Sequence, residues 1–516
     1  MKDGRTKSAA DSITDQVLVF AKDKGLFDCG IIVVGLSGGP DSVALLCILK
    51  ELKDNNGIDC EIRAFHCNHH IRQGVCDEEA DQVRELCGKL GIDVKVIDFD
   101  CIGFAEQNHI SEETAGRLLR YEAFEQYAAA LEKAEGKKVR IAIAHHKDDI
   151  AETMMMNLFR GSGLEGLVNP KSRTGRIIRP LLCVKKSELV DYLDSRNIRY
   201  AIDQTNLTVQ GTRNSWRNRF LPEIGSFYNE DPAVPLTRTY KLLADDLEYI
   251  NGISVETYKT NRRLLSGHPV LQVSGTRELH PAILSRIIRL LWHETFGDLI
   301  DFEEIHLSSC RSLMSGDAAG EMTIDMPFGR KAYRCGDVFG FADKDGIQTL
   351  SCSIAGEMGF LVADAPVKIG FDLHDIPQNG EFSVKISNSA LKLKALLFEN
   401  IGDLEYNNFS WFCPTDVIRD GGITFGNCSG LGTGLRMRRA GSEGSKEITR
   451  LMTDLKIPGS ARKQIIFAEK DGEILWLPGF GHGKGFTDAK SRERYTADLT
   501  EDHTSGSLVM FTVERQ

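Results

Sequence analysis

The feature that most constrains this chain is a rhythm in its first half. Short apolar runs at residues 31–36, 60–68, 93–99 and 138–144 read as strands, and the stretches between them carry helical periodicity. A helix between two strands returns the chain to the end of the sheet where it began, so such strands pair in parallel. The rhythm predicts an α/β fold built on a doubly wound parallel sheet. Ligands of such sheets bind beyond the carboxyl ends of the strands. Three polar clusters stand there, at residues 37–42, 66–72 and 145–152.

The first cluster is Ser37, Gly38, Gly39, Pro40, Asp41 and Ser42. Its glycines let backbone come close to a ligand. The helix that follows offers free N–H groups and the positive end of its dipole, which together attract an anion. Ser37 and Ser42 add hydroxyl donors. Asp41 would repel a bare phosphate, so it is assigned to a Mg²⁺ ion shared with the phosphates. The Gly-x4-Gly-Lys-Ser/Thr spacing of a Walker A loop is absent. The second cluster begins at His66 and runs His-Cys-Asn-His-His-Ile-Arg. No carboxylate or cysteine accompanies it at convincing metal-ligand spacing, so contacts to adenine, ribose or phosphate are expected instead.

The third cluster reads His-His-Lys-Asp-Asp-Ile-Ala-Glu from residue 145. Asp149 and Glu152 fall one helical turn apart on one face. Capping and dipole complementarity explain one carboxylate at a helix start, not three. Facing a nucleotide loop, the group suits Mg²⁺ or a cationic amine. Beyond it, residues 171–219 hold 11 Lys/Arg against 4 Asp/Glu, and residues 436–463 hold 8 against 3. The arginine-rich stretch at 171–219, returning to a nucleotide site, suggests phosphate contacts.

Composition excludes several classes. The 516 residues, 41% hydrophobic and 27% charged, suit a soluble protein of two to four domains. No apolar run reaches the roughly 20 residues that span a bilayer, and the amino terminus lacks an apolar signal core, so a cytoplasmic protein without membrane association is expected. The net charge of −11 argues against indiscriminate coating of nucleic acid. The 13 cysteines include no Cys-x-x-Cys, so they are expected to be buried free thiols and not metal or cluster ligands.

The run at 37–42 resembles the signature of the PP-loop ATP pyrophosphatases, which split ATP between the α- and β-phosphates. Taken with blocks at 66–72, 115–121, 145–153, 160–167, 177–182, 203–206 and 213–222, in that order, the chain resembles the tRNA(Ile)-lysidine synthetases. A weaker match covers 435–480. The resemblance implies ATP and Mg²⁺, free L-lysine, and a tRNA(Ile) with a CAU anticodon. ATP adenylates the 2-carbonyl oxygen of the wobble cytidine, and the lysine amine displaces AMP to give lysidine. It further implies that Asp149 and Glu152 bind lysine, that Arg117 and Arg213 lie around the reacting centre, and that Arg217, Arg436, Arg438 and Arg439 contact tRNA. Domains are expected at 1–232 (catalytic), 233–345 (mainly helical, gripping tRNA) and 346–516 (β-rich, acceptor-stem binding), and homodimers occur among related enzymes. One departure stands out. The Gly-Asp-Arg usual after the basic run is here Gly441, Ser442, Glu443 and Gly444. The alternatives are another PP-loop tRNA enzyme such as a thiolase, a synthetase acting on a small metabolite, or a binding module with a decayed site. The missing cysteine pairs weigh against the first, the basic stretches against the second, and the intact loop and carboxylates against the third.

Overall fold

The computed structural model describes residues 9–69, 75–201, 212–316, 320–377, 380–386, 391–398, 409–419, 421–438, 445–478 and 508–515. It falls into two compact units, Met1–Tyr249 and Ile250–Gln516.

The first unit opens with α1 (Ala9–Asp23), β1 (Ile31–Gly35), α2 (Pro40–Asp54), β2 (Glu61–Asn68), α3 (Val75–Leu90) and β3 (Asp93–Asp98). It continues through α4 (Cys101–Asn108), α5 (Glu112–Glu135), β4 (Val139–Ala142), α6 (Lys147–Phe159), α7 (Leu164–Leu167), β5 (Arg173–Thr174), β6 (Ile177–Ile178) and α8 (Lys186–Asp194). The sheet order is β3-β2-β1-β4-β6-β5, parallel except for the β5–β6 edge. Central β1 shows why the sheet is covered on both faces. Ile32 and Val34 pack with α1, α2 and α8, while Ile31 and Val33 pack with Ala123, Phe124 and Ala128 of α5. All four strand residues are fully buried. Each such side chain contributes about 1.5–3 kcal/mol of burial free energy. The expected strand at 177–182 is only two residues long. Pro180, with no N–H to donate to the ladder, starts a 3₁₀ turn at Pro180–Cys183 instead.

The stretch expected to be mainly helical is mixed. Helices Ala233–Asn261, Pro281–Phe296 and Glu304–Ser315 are joined by an antiparallel five-stranded sheet. Its strands, in spatial order, are Arg262–Leu265, His268–Gln272, Val338–Ala342, Lys331–Cys335 and Glu321–Asp325. The first two meet at a tight hairpin, where Ser266 and Gly267 both take positive φ. Trp292, Phe339 and Phe341 lie in the core beneath this sheet.

The carboxyl-terminal part is β-rich. One of its sheets sets Lys368–Phe371, Ile423–Asn427, Ile466–Lys470, Glu473–Trp476, Arg436–Arg438 and Ser445–Glu447 side by side. In a second, four-stranded sheet, Leu391–Phe398 pairs antiparallel with Leu508–Arg515. No described helix is long and apolar enough to cross a membrane.

Candidate active site

Strand β1 is flanked by β2 on one side and β4 on the other. The connections leaving β1 and β4 therefore diverge, and a crevice opens between their carboxyl ends. The loop at 37–42 lines one side of it and the start of α6 the other.

The loop is held by its own serines. Ser42 Oγ accepts from the Ser37 backbone N–H (3.1 Å), lies 3.1 Å from Ser37 Oγ and donates to Gly39 O (3.0 Å). Gly38 has φ +86°, a conformation a side chain would strain, and Pro40 occupies the first turn of α2. Asp41 Oδ1 is enclosed and has no hydrogen-bond partner. Its Oδ2 lies 3.7 Å from both His146 Nε2 and Lys186 Nζ.

His146, almost fully buried, ties the two sides together. Its Nε2 is also 3.5 Å from Asp149 Oδ2, and its Nδ1 is 3.1 Å from Asp148 Oδ2. Burial opposes a charge on this ring, but the Asp149 carboxylate, with help from Asp148 and Asp41, outweighs it and pushes the pKa up to about 10. Burial likewise opposes ionisation of Asp148. The charged His146 ring beside it and a hydrogen bond from the Lys186 backbone N–H (2.9 Å) nonetheless hold it at about 2. The neighbouring His145 goes the other way. Burial lowers it to about 4, and its Nδ1 accepts from Arg179 Nε (3.0 Å).

Asp149 and Glu152 are brought together on α6, 6% and 1% exposed. Two arginines from the helical turns at 212–220 saturate them. Arg213 donates through Nε to Glu152 (2.8 Å) and through Nη2 to Asp149 (2.7 Å). Arg217 donates through Nε to Glu152 (2.5 Å) and through Nη2 to Glu152 (2.9 Å) and Asp149 (3.3 Å). Burial would raise the Asp149 pKa, but the charges of His146 and Arg213 hold it below the ordinary carboxylate value.

Other expected residues fall elsewhere. His66 is buried behind the loop, where Nδ1 donates to Leu36 O (2.8 Å); it braces the strand end, and burial keeps it neutral. Arg217, expected on tRNA, is instead committed to the carboxylates, because the helical spacing from Arg213 turns both guanidiniums to one face. Arg117 is exposed on α5 with its guanidinium over the Tyr121 ring at 5.4 Å, and it forms no ion pair with Asp149 or Glu152. Arg436 is tied to Ser445 in its hairpin through Nε (2.9 Å) and Nη2 (2.8 Å). Arg438 follows in the same strand; Arg439 and residues 70–72, 203–206 and 441–444 lie outside the described residues. Sequence reasoning gave no role to His146 or Lys186. The adjacent histidines before three carboxylates were the signal for the first. Lys186 carried none, since 145 residues separate it from Asp41.

Among the described residues no group of three or more His, Cys, Asp or Glu side chains is arranged to hold a metal by itself. The described cysteines are free, and burial pushes thiols such as Cys67 and Cys183 up to about 12.

Two family models match the chain: a PP-loop domain over residues 11–224 and a TilS substrate C-terminal domain over 431–499. Curated relatives match along nearly the whole length. A tRNA(Ile)-lysidine synthase of Clostridium acetobutylicum is 31% identical over 476 residues, 91% of this chain and 95% of the relative. That of Clostridioides difficile is 30% identical over 471 residues, 90% and 94%. That of Caldanaerobacter subterraneus subsp. tengcongensis is 28% identical over 466 residues, 90% and 92%. With the loop at 37–42, the carboxylate pair and the carboxyl-terminal module all falling within these matches, the chain belongs to the tRNA(Ile)-lysidine synthase family.

Proposed function

We propose that this protein ligates free L-lysine to the 2-position of the wobble cytidine of a CAU-anticodon tRNA(Ile), using ATP. The observation that carries this assignment is the buried Asp149–Glu152 pair facing the 37–42 loop across the sheet's crevice. Backbone N–H groups from Gly38 to Ser42 hold the phosphates. The unpartnered Oδ1 of Asp41 suits a Mg²⁺ ion, which when bound would share the phosphate charge.

The cytidine O2 attacks the α-phosphorus and diphosphate leaves. The lysine ε-nitrogen then bonds to C2 as the C2–O bond breaks, and AMP departs with that oxygen. The ε-ammonium must lose a proton before it attacks, and a carboxylate beside it both attracts it and accepts that proton. Because both carboxylates are saturated by arginine, lysine must displace at least one guanidinium. The freed guanidinium then meets the negative charge growing on the departing AMP. Arg117, exposed on α5, would act at the substrate side of this crevice.

Residues 1–232 form the catalytic domain in this scheme, and 233–345 and 346–516 grip the tRNA, Arg436, Arg438 and Arg439 at the acceptor stem. The rival thiolase chemistry has no Cys-x-x-Cys to run on. Incubation with ATP, labelled lysine and either the CAU-anticodon tRNA(Ile) or elongator tRNA(Met) tests the assignment. Transfer to the first alone is expected. No transfer to it would sink the activity, and equal transfer to both would sink the specificity. Sedimentation of the free protein tests the homodimer inferred from related enzymes.

A further inference from the structure

Three aromatic rings crowd the outer end of the two segments that hold the ion cluster. Phe159, the last residue of α6, lies 5.3 Å from the Trp216 ring, and Trp216 lies 5.1 Å from Phe220. Arg219 sits over Phe220 at 5.6 Å. Phe159 is 73% exposed and Phe220 39%. Fully burying a Phe side chain is worth about 1.5–3 kcal/mol, most of which Phe159 forgoes as it stands. The segment that displays it, Trp216–Phe220, is a single π-helical turn, a local irregularity often found at functional sites.

We infer that Phe159, Trp216 and Phe220 form a stacking platform for unpaired anticodon-loop bases beside the wobble position; this rests on the tRNA assignment above. Placement favours a nucleic-acid occupant. Phe159 follows Glu152 by seven residues on one helix, about 10 Å along its axis. That is roughly three stacked bases at 3.4 Å each. Trp216 directly precedes Arg217, whose guanidinium holds Glu152. A base that enters the carboxylate site must leave its stack, and its neighbours then lose a stacking partner. Aromatic side chains supply such partners in single-stranded RNA recognition.

Charge agrees. Arg160, exposed next to Phe159, has no ion pair among the described residues. Among the described residues Arg219 has only a surface pair with Glu223 at 3.2 Å, which water and salt weaken. In a chain of net charge −11, a cationic rim around exposed rings matches a phosphate-bearing partner better than a second acidic copy.

The test uses the full-length protein and two readouts: the Kd for an anticodon stem-loop by fluorescence anisotropy, and steady-state lysidine formation. Phe159→Ala and Phe220→Ala are each expected to raise the Kd and the KM for tRNA roughly tenfold, with the KM for lysine and ATP little changed. Phe159→Leu should lose as much as alanine and Phe159→Trp should restore binding, since stacking needs a π face. The salt slope of binding should stay unchanged in these variants and fall by about one in Arg160→Ala. A stem-loop lacking the bases next to the wobble nucleotide should bind weakly and be insensitive to Phe159→Ala. Wild-type affinity in both alanine variants would overturn the platform, as would full binding by Phe159→Leu. So would variants that change the sedimenting species and leave RNA affinity intact, which would make the rings a protein–protein surface. If the wild type forms no lysidine on any tRNA, the proposed activity fails, and the anisotropy arm still decides whether the rings bind RNA.

Discussion

Asp41 and Glu152 show how environment divides labour between carboxylates a few residues from the same crevice. Asp41 keeps an enclosed oxygen without a donor, so it has room for a cation. Asp41→Asn should therefore abolish diphosphate release, a loss of roughly hundredfold or more, while tRNA affinity stays close to wild type. Parallel assays of diphosphate and filter binding check this. Glu152 has no spare capacity, because Arg213 and Arg217 occupy both its oxygens. Its removal leaves two guanidiniums short of partners. Breaking a fully buried pair costs about 3–5 kcal/mol, but both arginines are partly in water, so about 1–3 kcal/mol is expected for Glu152→Ala in urea unfolding. Lysine transfer should fall further than tRNA binding. An equal loss of both would contradict its role with the amine.

At the level of elements, the start of α6 carries opposed histidines. His146 is held charged by three carboxylates, whereas His145 is held neutral by burial beside Arg179. His69, stacked on Phe99, is also lowered to about 4 by burial. For His145 and His69 the folded pKa lies below the ordinary value of 6.5, so between about 4 and 6.5 the unfolded chain binds more protons than the folded one. Their contribution is intact above pH 6.5 and is lost as pH falls towards 4. His146, with its raised pKa, contributes in the opposite sense, in full below pH 6.5 and less as pH rises towards 10, so it offsets part of this drop. Urea midpoints should still be lower at pH 5 than at pH 7.5, and His145→Gln, which keeps an acceptor for Arg179, should show a smaller difference. The elements themselves were legible where one period dominates. Strand β1 and helix α2 stand where the apolar runs place them. The strand expected at 177–182 did not, because Pro180 ends it, and the strands between 262 and 272 were hidden by helices on either side.

For the whole molecule, the basic stretch after residue 435 and the catalytic unit are far apart in sequence, and tRNA is the proposed substrate that links them. A chain ending at residue 430 should bind tRNA more weakly and with a shallower salt dependence, measured by filter binding across salt concentrations. An unchanged slope would remove the carboxyl-terminal arginines from the interface. The local pattern was enough to specify a doubly wound sheet, a glycine turn between strand and helix at Ser37 and a carboxylate pair on one helix face, because strand period, turn chemistry and i,i+3 spacing are all short-range properties. It was not enough to say what each charge touches. Only the folded chain shows that Arg217 lies on Glu152, that Lys186 approaches Asp41 and that His66 braces Leu36. Those pairings depend on which loops meet at the crevice between β1 and β4, and a contact across 65 or 145 residues leaves no trace in local spacing. The same holds for the aromatic rings beside them, which become a surface only once α6 and the π-helical turn are packed together.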